Sequence, residues 1–313
     1  MGGYVGRRIL STIPVMAVVA LFVFSLLYLA PGDPATIIAG DQATPADIIR
    51  IRQSLGLDRP FLVQFWEWLW RILHGDLGTS IFTNLPVMSL IAQRVEPTLS
   101  LMCVTLILAI GIAVPLGVIA AWKVGSFIDR FVMLFAVFGF SVPVFVLGYG
   151  LIYLFAIRLD WLPVQGYQRL SLGVGGWLQR LILPSLTLSV VLIALIARIT
   201  RTSVLEVMNE DYIRTARAKG QTEGRVLRRH ALANAAVPIV TVIGLGVAAL
   251  IGGVVVTESV YTIPGLGRLT VDAVLARDYP TIQAVILLFS LAYVLINLVV
   301  DMTYTFFDPR IRY

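Results

Sequence analysis

Residues 97–122 read PTLSLMCVTLILAIGIAVPLGVIAAW, 26 positions without a charge. A hydrocarbon core of roughly 30 Å takes about 20 apolar residues in helix, so this run is long enough to cross a bilayer. Working outward from it, uncharged runs recur at Ile9–Gly32, Phe131–Ile157, His230–Thr257 and Tyr279–Val300, of 24, 27, 28 and 22 residues. Leu181–Ala197 gives a shorter run of 17, which Ile199 and Thr200 extend if Arg198 snorkels. None of the runs alternates with a period of two, so helices rather than barrel strands satisfy the backbone. The reading is an all-α membrane protein with six transmembrane helices. Arg7 and Arg8 before the first run resemble the start of a signal peptide, but the run exceeds a signal's apolar stretch and reads as a retained span.

Composition agrees. The 313 residues are 58% hydrophobic and 13% charged, about half the usual quarter, with a mean hydropathy of +0.89. A soluble fold would expose that surface as large apolar patches, which excludes an ordinary soluble enzyme and a disordered chain. The single cysteine, Cys103, excludes an intrachain disulfide and a cysteine-based zinc site, and reads as a small buried apolar residue. With the N-terminus inside, fourteen of the 24 Lys and Arg fall on inner segments. Five of the other ten lie in one long outer loop, which the rule weights weakly, so the bias places both termini in the cytoplasm. Three regions follow: residues 1–96, the first span and its long outer loop; 97–306, a five-helix core containing an inner loop at 201–236; and a tail, 307–313.

In the outer loop, Thr44-Pro45-Ala46-Asp47 is a helix start and Gly56 a stop. After Pro60, Phe65, Trp68, Leu69 and Ile72 recur at helical spacing beside Trp66 and Trp70. This predicts an interfacial helix fixing the outer end of the bundle, with docking of an outside partner as the sharper reading. In the inner loop, Glu210–Lys219 reads as a helix ending at Gly220, with Ile213, Ala216 and Gly220 on one face. Thr222 and Glu223 open a second helix, with Val226, Leu227, His230, Ala231 and Asn234 on one side and Arg225, Arg228 and Arg229 on the other. Ala216, Ala218 and Gly220 argue for close approach by another protein surface, since a lipid-facing helix gains from large apolar groups.

Arg214-Thr215-Ala216-Arg217-Ala218-Lys219-Gly220, followed by Val226, His230-Ala231-Leu232, Asn234 and Pro238, resembles the EAA loop of ABC-importer membrane subunits. The resemblance is closest to the dipeptide/oligopeptide/nickel permease family, which also has Arg-Thr-Ala where the general loop has Glu-Ala-Ala. Other matches are Ala30-Pro31-Gly32-Asp33-Pro34, Leu55-Gly56-Leu57-Asp58-Arg59-Pro60 and Gly75-Asp76-Leu77-Gly78. Further on come Glu258-Ser259-Val260-Tyr261, Pro264-Gly265-Leu266-Gly267, Arg277-Asp278-Tyr279-Pro280 and Asp308-Pro309-Arg310. The resemblance implies a type I ABC importer permease fold with a cytoplasmic coupling helix, in a bacterial inner membrane. It implies a second homologous permease, two ATPases and an external solute-binding protein as partners. The coupling loop would seat Ile213, Arg214, Ala216, Arg217, Gly220, Glu223 and Arg225 against one ATPase. The chain has no Walker A motif, so no cofactor is assigned to it; ATP and Mg²⁺ would be held by the ATPases.

Within the spans, Pro115 and Ser141-Val142-Pro143 interrupt helices, either as packing kinks or as path lining. Ser141, Pro143 and Asn297 are the path candidates. Gly244, Ala248 and Gly252 form a packing stripe, against the second permease or within the chain, widened by Gly246 and Gly253. Asn297 and Asp301, four residues apart, read as an inner-end hydrogen bond or ion pair, and Glu258 as an anchor for the loop after it. His74 and His230 lack companions at ligand spacing, so no metal is assigned, and no catalytic cluster is visible. The leading function is import of di- or oligopeptides. Nickel chelates, glutathione and oligosaccharides fit the same scaffold. A secondary transporter or channel is the rival from another class, disfavoured by the absence of an inverted repeat and by sparse intramembrane charge.

Overall fold

The computed structural model describes residues 2–29, 35–36, 44–54 and 58–307. The motifs at 30–34 and 308–310, the stop at Gly56 and nearly all of the 307–313 tail lie outside the described residues. The helices are α1 (Gly2–Leu29), α2 (Pro45–Ser54), α3 (Phe61–Leu73), α4 (Val87–Trp122), α5 (Phe127–Ser141) and α6 (Val144–Leu151, continued by π-helical Ile152–Arg158). Then come α7 (Val174–Met208), α8 (Asp211–Ala218), a short broken helical segment at 223–234, α9 (Ala236–Val260), α10 (Leu266–Leu275) and α11 (Tyr279–Phe307). Among the described residues there is no strand, only an isolated bridge between Thr79 and Pro86.

Five helices are long and apolar enough to cross a membrane: α1, α4, α7, α9 and α11. A sixth crossing would be the pair α5 and α6, which the sequence reads as one span and the structure breaks by 105°. The two prolines expected to interrupt spans differ here. Pro115 sits inside an unbroken α4. Before Pro143, Val142 is extended (φ −91°, ψ 122°), and Pro143 itself has ψ 138°. Proline's ring disfavours helical geometry in the residue before it, and two extended residues in a row reset the helix axis. The span predicted to be marginal, Leu181–Ala197, belongs to the 35-residue α7.

The chain divides into two compact units, residues 96–268 with 295–313, and residues 2–95 with 269–294. This differs from the division expected at 97, because 269–294 joins the N-terminal part. Asp278 supplies the reason. Its carboxylate accepts from Ser80 Oγ at 2.5 Å, Ile81 N–H at 3.0 Å and Thr281 Oγ1 at 2.7 Å. It is 3% exposed, so Ser80–Ile81, just after the Gly75–Gly78 motif, and Arg277–Pro280, far apart in sequence, are tied by one buried acid.

In the first unit, α7 is the central helix. Leu181, Leu188, Leu192 and Ile196 pack with Leu101 of α4, Val132 of α5, Ile152 after α6 and Val254 of α9. Gly117 lets α4 approach closely, since a Cβ there would lie 2.6 Å from the Ala197 carbonyl oxygen and from Thr200 Cβ. Cys103, expected to be buried, is exposed at the surface of the chain. In the second unit, Phe65 and Trp68 of α3 pack on Phe24 of α1, with ring centroids 5.6 and 5.2 Å apart.

Candidate functional site

The segment 211–235 is a helix, a glycine turn and a second helical stretch. After Ala218, Lys219 caps α8, and Gly220 takes φ +78°. Gly220 N–H donates to Arg217 O at 2.9 Å and Gln221 N–H to Ala216 O at 3.2 Å. That pair of bonds is a Schellman closure, whose left-handed position suits glycine because a Cβ is penalised there. The second stretch starts as helix at Glu223–Arg225, widens to π geometry over Val226–Ala231 and ends at Leu232–Asn234.

The unit's interior is its own. Ile213 and Ala216 are buried against Val226, Val207 and Met208. Ala216, expected to meet another protein surface, meets Val226 of its own chain: with the nearby Gly turn, its small side chain lets the second stretch fold back on α8. Arg217 and Glu223, expected to orient an external contact, pair with each other across the turn, Nε to Oε1 at 2.8 Å and Nη2 to Oε2 at 3.2 Å. His230 Nε2 lies 3.0 Å from Gln221 Oε1. Arg214, Thr215, Ala218, Lys219, Gly220, Arg225, Arg228 and Arg229 are exposed. Burial pushes the Tyr212 phenol above its ordinary pKa, and the neighbouring Glu210 carboxylate adds to that shift.

The unit is fused to two long helices. Val204 of α7, Leu227, Ala231, Ala235 and Ile239 of α9 form one apolar cluster with Ala121 of α4. One turn before Val204, Arg201 makes a bidentate pair with Asp129, at 2.5 and 2.8 Å, near the start of α5. Asp129 is 4% exposed, and it also accepts from Gly125 N–H at 2.9 Å while Ser126 caps the helix. Bidentate Arg–carboxylate geometry is directional, so α7, which 211–235 packs on, is also tied to the start of α5. The sequence reading missed this pair; the signal was Ser126 followed three residues later by an acid opening an apolar run.

Of the path candidates, Ser141 and Pro143 are exposed at the break between α5 and α6, with Ser141 Oγ bonded to Val137 O at 2.9 Å. Asn297 is half-buried on α11. The glycine stripe separates. A Cβ on Gly244 would lie 2.2 Å from Val300 of α11, and Gly246 and Gly253 face Leu192 and Leu188 of α7, whereas Gly252 faces open space. The stripe expected as one packing surface is therefore divided among helices of this chain, and the flanking glycines make the contacts with α7.

Glu258 closes the other end of α9. It is fully buried. It accepts from Thr98 Oγ1 at 2.5 Å and Arg268 N–H at 2.9 Å, while Leu266 N–H donates to the same Thr98 hydroxyl at 2.8 Å. Glu258 thus anchors the loop after α9. In the second unit a cleft of about 690 Å³ opens among Gln64, Trp68, Arg71, Ser80, Tyr279 and Gln283. Among the described residues, no three His, Cys, Asp or Glu side chains are grouped to hold a metal ion.

Residues 113–313 match the family described as binding-protein-dependent transport system inner membrane component, and residues 1–102 match its N-terminal family. The chain is 56% identical over its full length, and over the whole of the relative, to a probable peptide ABC transporter permease of Sinorhizobium fredii. It is 46% identical over 98% of both chains to a putative peptide transport permease of Brucella abortus. A glutathione transport permease of Salmonella paratyphi A is 47% identical over the full length of both. The solved inward-facing MetNI methionine ABC transporter shares the fold, with a TM-score of 0.57 at 20% identity over 71% of this chain and 97% of that one. The long apolar helices, the helix–glycine turn–helix unit joined to two of them and these full-length likenesses converge: the chain belongs to the binding-protein-dependent transport system inner membrane component family, the multi-pass inner-membrane permease subunits of ABC importers.

Proposed function

We propose that this permease imports peptides, with glutathione-like tripeptides within its range, and that segment 211–235 receives the force of ATP hydrolysis. Five full-length or near full-length relatives named for peptide transport and three named for glutathione transport support the solute class. The observation that carries the coupling role is the attachment of 211–235: its apolar side is built into α7 and α9, while the outward side of α8 and its turn carries Arg214, Thr215, Ala218 and Lys219. A rigid handle with an open outer face suits a groove on another protein. Both termini and this unit lie in the cytoplasm in this reading, on the side favoured by the basic residues. A second permease completes the path, an external binding protein delivers the solute, and two ATPases hold ATP with its Mg²⁺. This chain hydrolyses nothing; its residues bind the ATPase, move the helices and line the path.

Crosslinking tests the reading. In the assembled importer, Thr215→Cys or Lys219→Cys on a Cys103→Ser background is expected to crosslink to an ATPase subunit, with a yield that changes between nucleotide-free and ATP-bound states. Uptake of a labelled dipeptide by the parent complex, dependent on ATP and on the binding protein, checks the solute. Reaction of these cysteines only from the external side would reverse the topology and end the coupling assignment.

A further inference from the structure

Helix α3 has two apolar faces, and α1 covers only one. On a helical wheel, Phe61, Phe65, Trp68 and Ile72 fall together. Phe61, Phe65 and Trp68 meet Phe24, with Phe61 also against Tyr28, at centroid distances of 5.2–5.6 Å. The buried Gln64 on the same flank accepts from the Tyr28 hydroxyl and donates to Arg59 O. This is the stripe that the sequence points to, and it is spent on packing. Turning away from it, Leu62, Trp66, Trp70 and Leu73 form a second stripe, exposed by 70, 68, 65 and 71%. The third sector holds the exposed Glu67 and Arg71.

We infer that the Leu62–Trp66–Trp70–Leu73 face lies on the phospholipid bilayer, in the interfacial layer at the C-terminal end of α1. Three observations select lipid as the occupant. The helix that α3 packs on is itself a membrane-spanning candidate with only 18% of its apolar window buried inside the chain, so its flanks are open to what surrounds the chain. The contact with α3 involves Phe24 and Tyr28, in the last two turns before α1 ends at Leu29, which places α3 at the level where hydrocarbon gives way to headgroups. The exposed stripe carries two Trp rings one turn apart, the residue type that favours that layer, flanked by Leu side chains that reach below it. Glu67 and Arg71 occupy the sector that remains wet. The face thus fixes the height of α3 against the bilayer, and with it the adjoining cleft at Trp68 and Arg71.

Depth-dependent quenching tests this on the full chain, assembled with cysteine-free partner subunits, in phosphatidylcholine nanodiscs. On a Cys103→Ser background, Trp66→Cys, Leu73→Cys and Arg71→Cys each carry the fluorophore NBD. Nitroxide-labelled phosphatidylcholine and aqueous iodide serve as quenchers. Positions 66 and 73 are expected to be quenched several-fold more than position 71 by the nitroxide lipid, and several-fold less by iodide. Iodide quenching at 66 and 73 equal to that at 71 would overturn the inference, because the face would then be in water. Shielding of both positions from both quenchers would overturn it too, by showing that protein covers the stripe. Trp66 and Leu73 are exposed and lie outside the Phe24 cluster, so two independent substitutions report on a helix whose packing is retained.

Discussion

Glu258 and Glu223 are both carboxylates that hold a glycine-bearing turn to its helix, and they differ in what surrounds them. Glu258 has no exposed surface, and its partner Thr98 is buried with it. Glu223 keeps 48% of its side chain in solvent while it pairs with Arg217. Water competes at the second site and not at the first, so similar charge-assisted bonds carry different weight. The comparison teaches that the loop after α9 is part of the fold, whereas the 216–223 turn is fastened lightly at its surface and held by its apolar underside. A coupling element that must move as one body needs the underside, not the surface pair.

The largest effect tests the buried member. Glu258→Ala leaves the Thr98 hydroxyl and the Arg268 N–H short of an acceptor, and opens a cavity under Gly265 and Gly267. A loss of about 3–5 kcal/mol is expected, as for breaking a buried charged network. Thermal unfolding of the detergent-solubilised chain checks it, and a parent-like Tm would erase the contrast. Ala216→Asp comes next. Its carboxylate would enter the cluster of Ile213 and Val226 without a partner, costing about 2–4 kcal/mol locally. Limited proteolysis is expected to cut at 211–235 while the spans stay intact.

Gly220 sharpens the comparison by separating strain from docking. A Cβ there meets nothing within 4 Å, so the cost of Gly220→Ala is the left-handed backbone, about 1–2 kcal/mol. Gly220→Trp carries the same backbone strain, and its Cβ also starts in open space. If the Trp variant loses ATP-driven uptake at matched expression and the Ala variant retains it, a partner surface lies over the turn. Equal uptake by both removes that surface from Gly220. Arg217→Ala is the smallest: the exposed pair is worth about 0.2–1 kcal/mol, so Tm should barely shift. A fall in uptake beyond that would mean that Arg217 also serves the partner contact.

The amino-acid sequence by itself determined the class of molecule, because uncharged runs of span length leave the backbone no partners but its own, and helices supply them. It also determined the turn at Gly220, where a local backbone requirement selects one residue type. The tertiary structure decided where each face points. The periodicity of Phe65, Trp68 and Ile72 marks an apolar stripe, but α1 rather than lipid covers it, and Trp66 and Trp70 are left outside. Ala216 has the size for close approach, and it is Val226 of the same chain that approaches. Gly244 and Gly252 share a spacing, yet one meets Val300 and the other open space. Asp129 with Arg201, and Asp278 with Ser80, are separated by 72 and 198 positions. Helical spacing relates residues a few positions apart; which stripe is covered, and by what, depends on how distant segments pack, and no local pattern contains that information.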